Sequence, residues 1–185
     1  MSPEPAADQL LVTIHQGVAY VRVRGRGSFK VSAQLRDFVI AAIEKGCRCA
    51  LLDLTDCVGM DSTFMGVLAG LAFRLKEHGG GRVIMINLSP RTRGLLATLG
   101  LDQVVDAYMA GATPDRLQAV GRAPEAPLTP LEAGEPSQRA TAETMLEAHE
   151  NLVLLSPENL PKFKDVLAYL REDLKKSERA SPPAQ

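Results

Sequence analysis

The chain has 185 residues, 45% of them hydrophobic and 23% charged, the profile of a soluble globular protein with room for one ordinary domain and an extension. Lysine plus arginine (21) nearly balance aspartate plus glutamate (22), which excludes a global field that would draw in nucleic acid or an anionic membrane. No apolar run reaches the ~18 residues that span a bilayer, and MSPEPAADQL lacks a signal-peptide pattern, so a cytoplasmic protein without direct membrane insertion is expected.

Residues 11–15 (LVTIH) and 18–24 (VAYVRVR) are short β-branched runs separated by Gln16-Gly17, a two-residue hairpin signal. In the second run Val21 and Val23 alternate with Arg22 and Arg24, one buried face against one wet face. The following RVRGRGSFK carries Arg26 and Lys30 but lacks the Gly-Lys-Ser/Thr ending of a phosphate loop, so it predicts a wet strand face and a turn. From Val31 to Gly46, apolar residues at helical spacing predict a helix with Ser32 as cap and Gly46 as stop.

CALLDL (49–54) and RVIMINL (82–88) are nearly continuous apolar runs, as expected of parallel strands covered on both faces. Between them TDCVGM reads as a turn, and Phe64, Val67, Leu68, Leu71 and Leu75 form the stripe of a helix ending at HGGG. Gly66 and Gly70 lie four apart in that helix and predict close packing on the sheet. Ser89-Pro90 opens a short helix that Gly100 ends; residues 103–109 predict an edge strand and 114–120 a closing helical turn. The order is ββαβαβαβα, a single α/β domain over residues 8–120.

Proline-rich sequence over 121–139 predicts an extended linker, and helical patterns over 140–151 and 157–176 predict a hairpin extension over 140–176. Leu160, Phe163, Val166, Leu167, Leu170 and Leu174 form a stripe that needs a partner: its own domain, a second copy in a homodimer, or another protein. Residues 177–185 are expected to be a disordered tail.

Asp61, Ser62 and Thr63 fall at a helix amino terminus, where unpaired N–H groups and the dipole favour an anion; a plain helix cap is the alternative. Asp53, Asp56 and Asp61 lie near one strand edge, but no lysine-bearing strand end or second acid pair completes a magnesium site, and no metal or other cofactor is expected. Cys47, Cys49 and Cys57 with His15, His78 and His149 show no zinc spacing; reduced, buried thiols are expected. Arg91 and Arg93 read as a solvated helix start, and no Ser/His/Asp or Cys/His grouping suggests nucleophilic catalysis.

CALLDLTDCVGMDSTFMGVLAGLAFRLKEHGGGRVIMINLSPRTRGLLATLGLDQVVDAY resembles the STAS domain, the family of bacterial anti-sigma factor antagonists and of a related domain in sulfate transporters. In that family a strand ending Asp-Leu-Ser leads to a D-S-S-G-L-G helix start. The resemblance covers residues 10–120 and implies a STAS-like single mixed sheet with helices packed mainly on one face, here with the helical hairpin added. It further implies a non-enzymatic partner-switching module that binds an anti-sigma factor or serine kinase-like protein, with Ser62 phosphorylated and Thr63 as the second hydroxyl. Asp56, Asp61, Ser62, Thr63, Phe64 and Arg26 are then the partner-binding candidates. Phe64-Met65-Gly66 replaces the family's Gly-Leu-Gly, and the phenylalanine either packs inward or alters the recognition surface. A cytosolic accessory subunit of a membrane transporter is the second role the resemblance allows; a nucleotide-binding module is a third alternative.

Overall fold

The computed structural model describes residues 7–121, 127–132 and 134–180. The order is β1 (Gln9–His15), β2 (Val18–Gly27), α1 (Phe29–Glu44), β3 (Cys49–Asp53), β4 (Cys57–Met60), α2 (Ser62–Glu77), β5 (Arg82–Leu88), α3 (Pro90–Leu99), β6 (Asp106–Met109) and α4 (Asp115–Gly121). A two-residue β7 (Thr129–Pro130), α5 (Gln138–Leu155) and α6 (Leu160–Ala180) follow.

One mixed sheet runs β6-β5-β3-β2-β1-β7, with β4 paired to β2 beyond the end of β3. β2, β3, β5 and β6 are parallel, while β1 is antiparallel to both β2 and β7. Gln16 and Gly17 both take positive φ (48° and 76°), the backbone of a two-residue turn whose twist matches the flanking strands. Pleat alternation sends Leu10, Val12, Val21, Val23, Ala50, Leu52, Val83 and Met85 to one face, where they pack with the stripes of α1 and α2 and with Leu96 and Leu99 of α3. On the other face Tyr20, Leu51, Ile84 and Ile86 form a smaller cluster with Leu117 of α4 and Leu128. The helices therefore lie mainly on one face of a single mixed sheet.

Local signals failed at three places. TDCVGM turns only at Thr55-Asp56, where the Cys57 amide donates to the Leu54 carbonyl; its last four residues are a strand, and Gly25, Arg26 and Gly27 of the long β2 extend past β3 and pair with Cys57, Gly59 and Met60 in parallel. Helix α1 starts two residues before the periodic stripe, at exposed Phe29, with Ser28 rather than Ser32 at its cap position; Ser32 Oγ instead donates to the Ser28 carbonyl (2.8 Å). Thr129 and Pro130, within the expected linker, pair with Val12 and Leu11 as an edge strand, a position that tolerates proline.

The carboxy-terminal hairpin docks on its own domain. α5 packs across α2 and α1, and α6 packs on α5 with Leu167 and Leu170 buried. Helix α6 continues to Ala180, so residues 177–180 extend the helix where a tail was expected; residues 181–185 lie outside the described residues. Gly66 and Gly70 serve α5, not the sheet: a Cβ on Gly66 would overlap the Ala148 carbonyl, and one on Gly70 would overlap the Asn151 side chain.

Candidate functional site

Asp61 is the amino-terminal cap of α2, its Oδ1 accepting from Phe64 N at 2.9 Å. Its other oxygen, Oδ2, accepts from Phe29 N, the first residue of α1, at 2.7 Å. One carboxylate thus satisfies unpaired donors of two helices and fixes their starts side by side. The Asp61 amide in turn donates to the Gly27 carbonyl (2.9 Å), which ties the cap to the end of β2. Asp8 completes the loop, accepting from Arg26 N (2.9 Å) and from Ser28 Oγ (2.7 Å).

Ser62, the first residue of α2, is half-buried, and its Oγ lies 3.0 Å from His149 Nε2 of α5. The ring's Nδ1 is 2.7 Å from the Met145 carbonyl, which can only accept, so Nδ1 carries the hydrogen. Nε2 is then the lone-pair nitrogen and the Ser62 hydroxyl donates to it. Phe163 of α6 packs edge-on against the His149 ring, centroids 4.9 Å apart, and holds it in place. This Ser–His pair spans 87 positions, which is why no grouping was visible in the sequence.

Two of the partner-binding candidates do not reach the surface. Phe64 is fully buried beneath Gly27, whose missing Cβ makes the room: a Cβ there would come within 2.7 Å of the ring. The departure from the family's Gly-Leu-Gly is therefore a core residue. Thr63 is 4% exposed, so the second hydroxyl is shielded from any protein partner or kinase.

Asp56 is exposed but committed elsewhere, with Arg22 at 2.9 Å and Arg24 at 3.9 Å on the sheet face opposite α1 and α2. Its charge is largely offset there and bears little on Ser62. Arg26 is exposed in the β2 overhang that pairs with β4, and two exposed apolar residues that sequence periodicity missed are Phe29 (41% exposed), bonded through its amide to Asp61, and Val58 (69%) in β4. Neither lies on a stripe, so nothing in the sequence marked them.

Asp53 lies on the sheet face away from α2. Its carboxylate accepts from Tyr20 Oη (2.9 Å), Thr55 N (3.0 Å), Thr55 Oγ1 (2.6 Å) and Asn87 Nδ2 (2.9 Å). Burial opposes its charge, but the bonds from Asn87, Thr55 and Tyr20 outweigh that and hold the carboxyl below its ordinary value. Burial and the neighbouring Asp53 charge push the Tyr20 hydroxyl well above the usual tyrosine range. All three cysteines are free, and burial raises the Cys49 thiol to about 11. Among the described residues no group of three or more His, Cys, Asp or Glu converges as a metal site would, and no helix is long and apolar enough to cross a membrane.

Comparison with solved structures identifies the fold. An anti-sigma factor antagonist from Mycobacterium paratuberculosis aligns at TM-score 0.51 and 24% identity, over 64% of this chain and 97% of its own. The anti-sigma factor antagonist SpoIIAA, in its unphosphorylated form, aligns at TM-score 0.50 and 24% identity over 63% of this chain and 99% of its own. TM1081 aligns at TM-score 0.50 and 18% identity over 60% and 85%; the same protein from Thermotoga maritima is described as a putative anti-sigma factor antagonist. Among curated protein sequences none matches significantly. The STAS domain family model matches residues 9–113, more than half of the chain, and ends before α5. The chain belongs to the STAS domain family.

Proposed function

We propose that the protein is a non-enzymatic module of a bacterial partner-switching system, an anti-sigma factor antagonist-like protein of the cytoplasm. It binds its protein partner, an anti-sigma factor or serine kinase-like protein, at the edge formed by Ser62, Asp61 and Arg26, and phosphorylation of Ser62 controls that contact. The observation that carries this is the placement of Ser62: first residue of α2, half-buried, directly after the cap that joins two helices. Exposed Phe29 and Val58 at the same end of the sheet supply the apolar area that a specific protein contact needs.

The switch follows from charge and space. In the transfer, the Ser62 Oγ–phosphorus bond forms as the terminal anhydride bond of a nucleoside triphosphate breaks, and the nucleoside diphosphate leaves with the bond electrons. The product carries about −1.5 to −2 charge at neutral pH. The α2 amino terminus tolerates that anion, while Asp61 beside it opposes it, so the change falls on partner affinity more than on the fold.

Intact-mass analysis of protein from its native cells tests the chemistry: a phosphate-sized addition mapped to Ser62 is expected. Capture with Ser62→Asp and Ser62→Ala tests the switch. If both variants recover the same cytosolic proteins in the same amounts as the native chain, control through Ser62 is wrong.

A further inference from the structure

The stripe of α2 that carries Ser62 also carries Gly66 and Gly70, one and two turns on, and α5 lies along all three. His149 takes the Ser62 hydroxyl, Ala148 sits on Gly66, and Asn151 covers Gly70 while donating to the Gly66 carbonyl (3.3 Å). A glycine inside a helix is a local cost, and alanine would suit α2 better in isolation. Gly66 makes sense only because a second backbone comes into contact with it. That backbone belongs to a segment outside the matched family domain.

The seam has an apolar centre, where Ala148 and Leu152 are fully buried in the main core, and a polar margin. Arg36 of α1 donates to Thr144 Oγ1 and pairs with Glu147, both at 3.1 Å. A cleft of about 320 Å³ opens along the same seam, between Arg36, Gly70, Arg74, Glu147 and Asn151. The bonds of that margin are ones that water or another protein can replace.

The Ser62 hydroxyl is taken up by His149: its Oγ is 3.0 Å from Nε2, and the ring is bonded behind to the Met145 carbonyl and packed by Phe163, so a group added to Oγ, or a partner's side chain reaching it, must displace that ring. We propose that the α5–α6 hairpin is a self-inhibitory lid: α5 occupies in cis the Ser62-Gly66-Gly70 groove that a helix of the partner protein occupies in trans, with the Ser62–His149 hydrogen bond as its latch. The partner helix the groove fits has a small residue where Ala148 sits and a hydrogen-bond acceptor one position on. What the lid excludes rests on the partner-binding role proposed above; that it opens does not.

Amide hydrogen exchange on the full-length chain tests the lid without any partner. Two substitutions open it by different routes: Ser62→Ala removes the hydroxyl that bonds His149, and Gly66→Ala puts a methyl group into the Ala148 carbonyl while favouring α2 itself. In both, exchange of α5 and α6 amides is expected to rise at least tenfold (~1.4 kcal/mol of lost protection), while β3 and β5 keep native protection. Unchanged α5 and α6 protection in both overturns the proposal, and so does loss of protection in helices and sheet together, which would make the hairpin a permanent layer of the core. Opening in Gly66→Ala alone overturns the Ser62 latch. Failure of the partner-binding role would appear instead as unaltered protein capture by variants whose hairpins have opened.

Discussion

Asp61 Oδ2 accepts a hydrogen bond from the backbone amide of Phe29, 32 positions earlier, at 2.7 Å, while Oδ1 of the same carboxylate accepts from Phe64 at 2.9 Å. The first acid of the family-like motif is thus a joint between α1 and α2, independent of anything bound at Ser62. Asp61→Ala removes both bonds and is expected to destabilise the chain by about 2 kcal/mol. Asp61→Asn keeps one oxygen acceptor and should cost about half as much. Urea unfolding followed by far-UV circular dichroism measures both, and equal losses for the two variants would show that a single neutral acceptor holds neither helix start.

Phe64 fills the space left by Gly27 and has no exposed surface. Phe64→Ala is expected to cost about 3–5 kcal/mol, the usual loss for emptying a buried phenyl site. Gly27→Ala forces the ring aside from the opposite direction and should also destabilise, by about 1–3 kcal/mol. Thermal unfolding of the two single variants and the double variant gives the coupling; simple additivity would show that the two residues do not share this space.

What the sequence made legible was local. The Gln16-Gly17 turn, the Ser89-Pro90 start of α3 with Gly100 in the left-handed region (φ 81°), and the parallel β3 and β5 all rest on signals within a few residues. β4 was not legible because its four residues sit in a stretch that reads as a turn, and only the overhang of β2, far earlier in the chain, makes them a strand. Phe64 left two orientations open because the space that decides between them belongs to Gly27. His149 had no signal, since Ser62 meets it only once the hairpin has docked on α2.

Asn159 is 2% exposed at the corner between α5 and α6, and its Nδ2 donates to the carbonyls of Leu152 (2.8 Å) and Leu99 (3.0 Å). It fastens the hairpin corner to the end of α3. Asn159→Ala takes this donor from the Leu99 carbonyl, while the Leu152 carbonyl keeps the Ser156 amide, and is expected to cost about 2 kcal/mol. Asn159→Asp should cost more, because an ionised carboxylate faces two acceptors and has no hydrogen to give. Chemical denaturation at pH 7 and again near pH 4 separates them: the aspartate variant should recover part of its loss on acidification, when its carboxyl regains a proton to donate. No recovery would mean that the corner relaxes away from the carbonyls.

Asp53 makes stability depend on pH in a defined direction. Its carboxyl sits below the ordinary 3.8 in the folded protein because Asn87, Thr55 and Tyr20 bond the ionised form more strongly than burial disfavours it. A carboxyl depressed on folding contributes stability that is present above the unfolded pKa and is lost as pH falls through the folded one. Native stability should therefore fall from about pH 4 downward as this site takes up its proton. Tyr20→Phe removes one donor, moves the Asp53 carboxyl back toward its ordinary value, and should cost about 1 kcal/mol at pH 7 while making the acid-side slope shallower. Asp53→Asn removes the titration altogether, so its unfolding free energy between pH 5 and pH 3 should be flatter than that of the native chain, with a lower plateau at pH 7. A native slope that survives unchanged in Asp53→Asn would assign the acid sensitivity to other carboxylates.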